Sequence, residues 1–261
     1  MQTYDRIGTG YNDTRRADPY LLDRMEALLA ITTGQKMLDI GCGTGNYTRA
    51  LATRGIDISG VDPSEKMLQK ARSIAPEMKW GKGSAEALPF SDECFEAILA
   101  SLTLHHWKDL KAGFREMARV LNLGGKLVIF TSTPAQMEGY WLWHYFPRMM
   151  EDSCAQMPTR ERVEEATREA GLREFKWETY AVRPDLQDQF LYVGKEKPSL
   201  YLDPRIRAGI SSFAALAYES EVKSGLLKLE TDIASGAIEA IMDRYKHKMG
   251  DYAFFIARKA G

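Results

Sequence analysis

Apolar positions along the chain follow two periods, which together predict alternating strands and helices. Short apolar or alternating runs predict strands at 36–40, 57–62, 78–83, 94–100 and 126–131. Helical spacing predicts helices from Pro19, where Asp18 is the N-cap, and over 46–55, 63–76 and 110–121. Strands that alternate with helices of this length indicate β-α-β crossovers, and therefore a parallel sheet covered on both faces.

This alternation stops after Thr131. Residues 132–158 are rich in aromatic residues and methionine, and a predicted helix at 159–171 and strand at 174–182 follow. Residues 184–248 have a mostly helical pattern, and 251–259 form a last strand. We therefore expect a single domain over 1–261. Its parts would be a core of about 18–182 and 249–261, an N-terminal cap at 1–17, and a helical insertion at about 184–248 that forms a lid.

Composition narrows the class of protein. A chain of 261 residues that is 44% hydrophobic can bury a real core, and its net charge of −1 gives no global sign of a nucleic-acid or membrane partner. Cys42, Cys94 and Cys154 lack metal-ligand spacing, so we expect reduced thiols and no zinc site. The N-terminus lacks a signal-peptide pattern, and no apolar run reaches the roughly 18–20 residues of a membrane span. The protein is therefore expected to be cytoplasmic.

The most informative motif is LDIGCGTG, at the end of the first predicted strand. Gly41, Gly43 and Gly45 form GxGxG, whereas a dinucleotide fingerprint needs a third glycine at the position of Asn46. Asp39 lies two residues before Gly41, where a carboxylate suits an ammonium group and not a pyrophosphate. S-adenosylmethionine carries an ammonium and no phosphate, so the pattern favours it as the cofactor.

The next strand ends in GVDPSEKM. Asp62 lies 17 residues after Gly45, at the distance where an acid accepts hydrogen bonds from ribose hydroxyls. A helix N-cap is the alternative role, and the two roles are compatible. Met67 is predicted either to lie against the adenine face or to pack in the core.

A longer set of motifs resembles the class I S-adenosylmethionine-dependent methyltransferases, in the branch of the ubiquinone and menaquinone C-methyltransferases. The resemblance depends on LDIGCGTG, GVDPSEKML, GSAEALPF, LHHW and REMARVLNLGGKLVI, and it covers residues 36–131. It implies a Rossmann-like, doubly wound, mostly parallel seven-stranded sheet whose last strand is antiparallel. It also implies a cofactor site that, with the residues above, comprises Asp39, Gly41, Cys42, Gly43, Asp62, Pro63, Met67, Ser84, Ala85, Ser101, Leu102 and His106.

Three positions depart from the usual pattern of the family. Ser84 stands where an acid is common, so we expect the adenine contact there to be made by the backbone or through water. Glu96 replaces the usual Asp beside the fourth strand, and Asn122 with Leu123 replaces Lys-Pro before the glycine pair. None of these changes affects the expected fold.

In such proteins the N-terminal segment often folds over the cofactor. Here that segment offers Tyr4, Tyr11, Arg15 and Arg16, and we predict that Tyr11 or Arg16 reaches the cofactor carboxylate or an acidic acceptor. A solvated surface cap is the alternative.

Two further groups bear on the acceptor. Adjacent His105 and His106 make a poor metal site, but His105 could act as a general base. The run YWLWHYF supplies Tyr140, Trp143 and His144, which are predicted either to line an acceptor pocket or to pack in the core.

The sequence therefore predicts methyl transfer by in-line substitution to a small hydrophobic or aromatic acceptor. Alternatives are a methyltransferase acting on tRNA or a carrier-protein thioester, a non-catalytic S-adenosylmethionine-binding module, and an oxidoreductase with a degenerate dinucleotide turn. The balanced charge disfavours a nucleic-acid partner. The oligomeric state and the methylated atom stay open.

Overall fold

A computed structural model describes residues 14–261. The described strands are β1 (Lys36–Ile40), β2 (Asp57–Asp62), β3 (Lys79–Lys82), β4 (Phe95–Ser101), β5 (Leu121–Thr131), β6 (Leu172–Tyr180) and β7 (Tyr252–Lys259). The described α-helices are α1 (Pro19–Leu29), α2 (Asn46–Ala52), α3 (Glu65–Ile74), α4 (Leu110–Val120), α5 (Pro134–Glu138), α6 (Pro147–Ala155), α7 (Arg160–Glu169), α8 (Pro204–Ala208), α9 (Glu219–Ser235) and α10 (Ala237–Arg244).

All seven strands join one sheet in the order β3-β2-β1-β4-β5-β7-β6. The first five are parallel to one another, and β7 lies antiparallel between β5 and β6. The expected fold class is confirmed: the sheet is mostly parallel with an antiparallel last strand, and helices cover it. The reversal of strand order at β1 and β4 opens a crevice at their carboxyl ends, where ligands bind in doubly wound sheets.

Helix ends follow the capping residues in the sequence. Asp18, Ser64, Asp109 and Thr159 each accept a hydrogen bond from a backbone N–H in the first turn of the following helix. Each cap satisfies a donor that has no partner within the helix. Of these caps, Ser64 follows shortly after β2 and lies at the lip of the crevice.

The core lies on both faces of the sheet. One cluster packs α1 and the segment after β5 against Met37, Leu99 and Phe130. The other packs α4 and α7 against Leu38, Ile98 and Ile129. Successive strand residues therefore face opposite clusters, as a sheet buried on both sides requires.

Residues 184–248 contain less regular helix than their pattern indicates. Residues 184–197 are turns, followed by a 3₁₀ turn at Pro198–Leu202, the short α8, and a π-helical turn at Ser212–Leu216. Longer helices begin only at Glu219. Among the described residues, no helix has both the length and the apolar character to cross a membrane.

Candidate active site

A cavity of about 480 Å³ lies where the carboxyl ends of β1, β2 and β4 meet the segments after β5 and β6. Its wall includes many residues that the sequence predicts for the cofactor: Asp39, Gly41, Cys42, Gly43, Asp62, Pro63, Met67, Ser101, Leu102, His105 and His106. The cavity therefore brings the separate motifs of the sequence to one place.

The glycine loop bends tightly between β1 and α2. Gly41, Gly43 and Gly45 all have positive φ, at 70°, 57° and 78°, a region that favours glycine. A Cβ on Gly41 would lie 2.2 Å from Thr103 Oγ1, whereas a Cβ on Gly43 would have no atom within 4 Å. Gly41 thus packs the loop against the end of β4, and Gly43 leaves the cavity open at the backbone.

Asp62 fixes this loop from β2. Its Oδ2 accepts a hydrogen bond from the Gly43 N–H at 2.9 Å, and its Oδ1 accepts one from the Ser64 N–H at 2.8 Å. Burial raises the pKa of Asp62, and the two backbone donors oppose that rise. The expected ribose ligand is thus buried at the cavity wall and already holds two backbone donors.

Asp39 lies beneath the loop, where it is 3% exposed. Its Oδ2 accepts a hydrogen bond of 2.6 Å from the Thr48 hydroxyl. Burial raises the pKa of Asp39 to about 7, against the lowering effect of Thr48, and the nearby Asp62 raises it further. Such a carboxyl is stabilised in its charged form by a nearby cation.

The end of β4 forms the next part of the wall. Leu102 has φ of 52°, in the left-handed region that is strained for a side chain other than glycine, and its N–H donates to the Phe130 carbonyl at 2.8 Å. This turn directs Ser101, Leu102 and Thr103 to the cavity.

His105 and His106 follow in a single 3₁₀ turn, with ring centroids 3.9 Å apart. Burial, helped by His106 and Arg15, lowers the pKa of His105 well below its usual value, and burial lowers the pKa of His106 to about 4. Both rings are therefore neutral at pH 7. The buried Nδ1 of His105 has no hydrogen-bond partner within residues 14–261.

From the N-terminal segment, Arg15 reaches the cavity and Arg16 does not. Arg15 forms a two-pronged ion pair with Asp188, which also accepts a hydrogen bond of 3.3 Å from the Tyr47 hydroxyl. Arg16 is exposed, and its Nε donates at 3.4 Å to the Gln187 carbonyl. Tyr11 lies outside the described residues.

Sequence reasoning missed the residues that form the apolar part of the wall. These come from α5, from the residues just after α6, from the turns around 190 and 210, and from the start of β7: Met137, Met157, Phe190, Leu191, Ile210, Leu216 and Tyr252. Their separation along the chain is too large for any motif. Other missed wall residues did carry a local signal, because Thr44, Asn46 and Tyr47 lie in the glycine loop or directly after it.

Two predicted cofactor residues, Ser84 and Ala85, lie outside this cavity wall. Ala85 is 3% exposed and packs in the core with Leu88 and Val61. Ser84 forms an isolated bridge with Ala87, and its side chain bonds to Glu86. The side chain of Ser84 therefore already has a hydrogen-bond partner within the tight turn after β3.

Tyr140, Trp143 and His144 also lie outside this cavity wall. Tyr140 is buried, stacks on Tyr192 with centroids 3.7 Å apart, and shares a hydrogen bond with the Tyr201 hydroxyl. Trp143 donates to the Met137 carbonyl at 2.9 Å, and His144 is half-buried against Tyr145. The aromatic run therefore packs beneath the segment 190–201, in accordance with its alternative role as core. Tyr140 also borders a second cavity, of about 320 Å³.

The donor set fits S-adenosylmethionine better than a metal. Within the described residues, no three His, Cys, Asp or Glu side chains come together as metal ligands. The bare backbone at Gly43 and the carboxylates of Asp39 and Asp62 match a ligand with an ammonium, hydroxyls and no phosphate.

Comparisons with known proteins agree with this chemistry. Residues 38–129 match the family model described as a methyltransferase domain. A demethylmenaquinone methyltransferase of Tropheryma whipplei is 34% identical over 134 residues, 48% of this chain and 56% of that protein. The bifunctional biotin biosynthesis protein BioHC of Cellvibrio japonicus is 36% identical over 136 residues, 52% of this chain and 26% of that protein. The chain thus spans about half or less of these curated relatives.

A solved structure is similar over nearly the whole chain. It is a putative methyltransferase from an antibiotic biosynthesis pathway of Anabaena variabilis, 32% identical with a TM-score of 0.83, and the match covers 93% of this chain and 98% of that one. The similarity extends from the cofactor motifs into the segments that form the apolar wall.

Proposed function

Because the chain belongs to the class I S-adenosylmethionine-dependent methyltransferases, we propose that it transfers a methyl group to a small hydrophobic or aromatic acceptor. One observation carries the proposal: the cavity that holds the cofactor motifs continues into a wall of methionine, leucine, isoleucine and aromatic side chains. Binding sites for small molecules are typically concave and apolar with a few placed polar groups.

On the cofactor side, the residues have separate tasks. Asp62 would bind the ribose hydroxyls, Asp39 would attract the ammonium, and the backbone at Gly43 would allow close approach. When bound, S-adenosylmethionine supplies an activated methyl group on a sulfonium. Among the described residues, Arg15 and Lys108 are the two cations of the cavity wall, and Arg15 is paired with Asp188.

On the acceptor side, the chain acts mainly by positioning. Phe190, Leu216 and Tyr252 would exclude water and hold a planar molecule. Correct placement of two reactants can supply on the order of 7–11 kcal/mol of a barrier, so a strong acid–base pair is not required. His105, neutral at pH 7 with its Nδ1 unpartnered among residues 14–261, is the candidate to accept a proton from a hydroxyl acceptor.

The relatives support an acceptor of the quinone type. The demethylmenaquinone methyltransferases act, by their name, on a demethylated menaquinone. A reduced naphthoquinone is planar and apolar and carries hydroxyl groups, which fits the chemistry of this cavity. We therefore place 1,4-naphthalenediols first among the acceptors to assay.

Cofactor binding is the first test. Calorimetry with S-adenosylmethionine and its demethylated product is expected to give micromolar dissociation constants, and Asp62→Ala is expected to weaken both at least about tenfold through the lost hydrogen bonds. Asp57→Ala is the matched control, because Asp57 starts the same strand at its other end and pairs with Lys79 at the surface. Equal losses in both variants, or no binding by the native protein, would refute the cofactor assignment.

Acceptor class is the second test. Transfer of a labelled methyl group to naphthalenediols and other phenols is expected, with no labelling of bulk tRNA or of acylated carrier protein. Labelling of either macromolecule in preference to the small acceptors would favour the alternative class.

A further inference from the structure

One part of the cavity wall is a π-helical turn at Ser212–Leu216, preceded by Ser211. The π-helix is rare, and its short turns are frequent at functional sites because the wider coil redirects side chains. Four of the six residues from 211 to 216 line the cavity: Ser211, Ser212, Ala215 and Leu216.

The turn is held in place from its other side. The ring of Phe213 lies 5.1 Å from that of Phe146 and 5.9 Å from that of Tyr201, within the core. At the preceding Gly209, an added Cβ would lie 2.0 Å from Thr14 Oγ1, so the backbone packs directly on the N-terminal segment. These contacts fix the turn, so that Ser212 presents its side chain to the cavity as Phe213 enters the core.

Six serines of the described chain line the cavity wall. The hydroxyl of Ser64 caps α3, and that of Ser101, at the end of β4, has no hydrogen-bond partner within residues 14–261; the other four fall into two groups. Ser132 donates to the Asp251 carbonyl at 2.9 Å and Ser153 to the Met149 carbonyl at 2.7 Å, so both hydroxyls are already used. The hydroxyls of Ser211 and Ser212 have no such partner within residues 14–261, although Ser212 is only 7% exposed. Both residues line the cavity, so a hydroxyl there that lacks a protein partner is available to a ligand.

We propose that Ser211 and Ser212 bind a hydroxyl or carbonyl oxygen on the methyl acceptor and so orient its ring in the cavity. The inference rests on the proposed small-acceptor methyltransferase and deepens it. Ile210 and Leu216 flank the serines, so the acceptor they select is apolar with an oxygen on one edge, as in a phenol. A wall without these hydroxyls would not discriminate against a plain hydrocarbon ring.

A binding experiment separates this role from catalysis. With the protein saturated in the demethylated cofactor, 1-naphthol and the similarly sized 1-methylnaphthalene are titrated by tryptophan fluorescence. The native protein is expected to bind 1-naphthol roughly five- to tenfold more tightly, the value of one or two net hydrogen bonds. Ser212→Ala, and more fully the double Ser211→Ala, Ser212→Ala variant, is expected to remove that preference and leave 1-methylnaphthalene binding unchanged.

Controls keep the outcomes distinct. Ser224→Ala, on the exposed face of α9, removes a hydroxyl outside the cavity and is expected to keep the preference. Ser212→Thr keeps a hydroxyl and is expected to retain part of the preference for 1-naphthol. If the serine variants lost affinity for both ligands equally, the cause would be a change of packing. If they kept the full preference for 1-naphthol, the hydroxyls would not be used. Either result, or no binding of 1-naphthol by the native protein, overturns the proposal. Calorimetry with the cofactor tests the proposed function separately.

Discussion

At the scale of single residues, a glycine-to-alanine change can affect stability and cofactor binding separately, and two glycines of this chain distinguish the two effects. Gly43→Ala places a methyl group where φ is 57° and the cavity begins, so we expect about 1 kcal/mol of destabilisation and at least about tenfold weaker cofactor binding. Gly34→Ala is the matched control, because Gly34 has φ of 89°, no atom within 4 Å of its added Cβ, and no place in the cavity wall.

Denaturant unfolding and calorimetry on the two variants check this prediction. Both should lose similar stability, and only Gly43→Ala should lose affinity. If Gly34→Ala weakened the cofactor equally, the effect would come from general destabilisation and not from the methyl group in the cavity.

The raised pKa of Asp39 leads us to expect that cofactor binding depends on pH. Its pKa of about 7 in the free protein means that much of it holds a proton at neutral pH, and a bound ammonium favours the carboxylate. Binding should therefore release a proton, and affinity should rise with pH up to about 7, by at most about tenfold per pH unit. Calorimetry in buffers of different ionisation enthalpy measures the released proton.

The Asp39→Asn variant provides the control for that experiment, because it removes the titrating group and should flatten the profile below pH 7. A variant with the native slope would show that another group takes up the proton. The same carboxyl should also make the cofactor-free protein less stable as pH rises from about 4 to 7, because the folded state keeps a proton that the unfolded state has released.

At this scale the sequence predicted what lies next to a motif. Asp39, Gly43 and Asp62 lie at the cavity wall because strand ends and glycine turns are local features. The difference between Arg15 and Arg16 could not be predicted, because it depends on the contact with Asp188, which is 173 residues away from Arg15 along the chain. Ser84 could not be placed either, since its own turn satisfies it.

At the scale of elements, two departures from the family pattern turn out to be partners. Asn122 Nδ2 donates to Glu96 Oε1 at 2.7 Å, and Glu96 Oε2 accepts from the Lys36 N–H. The longer carboxylate of Glu96 thus bridges the starts of β1 and β5 across β4. Each change seemed neutral alone, and only the pairing of the strands shows that they act together.

The aromatic run shows where pattern reasoning about an element fails. A stretch such as YWLWHYF is equally suited to a core and to a pocket, and only the structure shows that 190–201 packs against it. Part of the wall of the cofactor cavity comes instead from turns such as 210–216, whose sequence has no helical or strand period.

A pair of substitutions tests this assignment. Leu216→Ala, on the cavity wall, is expected to raise KM for an apolar acceptor by about tenfold through lost contact, with little effect on cofactor affinity. Trp143→Phe, at a side chain outside this wall, removes the hydrogen bond to the Met137 carbonyl and is expected to lower stability by about 1 kcal/mol and to change KM much less than Leu216→Ala does. Steady-state kinetics and denaturant unfolding on both variants test this prediction. An increase in KM in Trp143→Phe alone would indicate that the aromatic run, and not Leu216, contacts the acceptor.

At the scale of the whole molecule, the sequence predicted the sheet well because each β-α-β crossover is a local event with its own caps. The contacts that close the cavity, in contrast, join segments that are far apart in the sequence. The segment 14–18 pairs with 187–189 through Arg15 with Asp188, the Gln189 N–H with the Thr14 carbonyl, and the Gln187 N–H with Asp18. Asn46 of α2 also donates to the Arg15 carbonyl. Residues 14–18, residues 187–189 and the start of α2 therefore meet beside the glycine loop.

This arrangement predicts a joint response to the cofactor. Backbone hydrogens exchange through local opening, so a ligand that stabilises one of these stretches should stabilise its partners. Addition of the demethylated cofactor is expected to slow hydrogen exchange at 39–47, 14–18 and 187–191 together, and to leave the outer helix α9 unchanged. Asp188→Asn weakens the ion pair to Arg15 and should uncouple the last two segments while 39–47 stays protected. If the native protein protected only 39–47, the cavity would close without help from the N-terminal segment and the turns after β6.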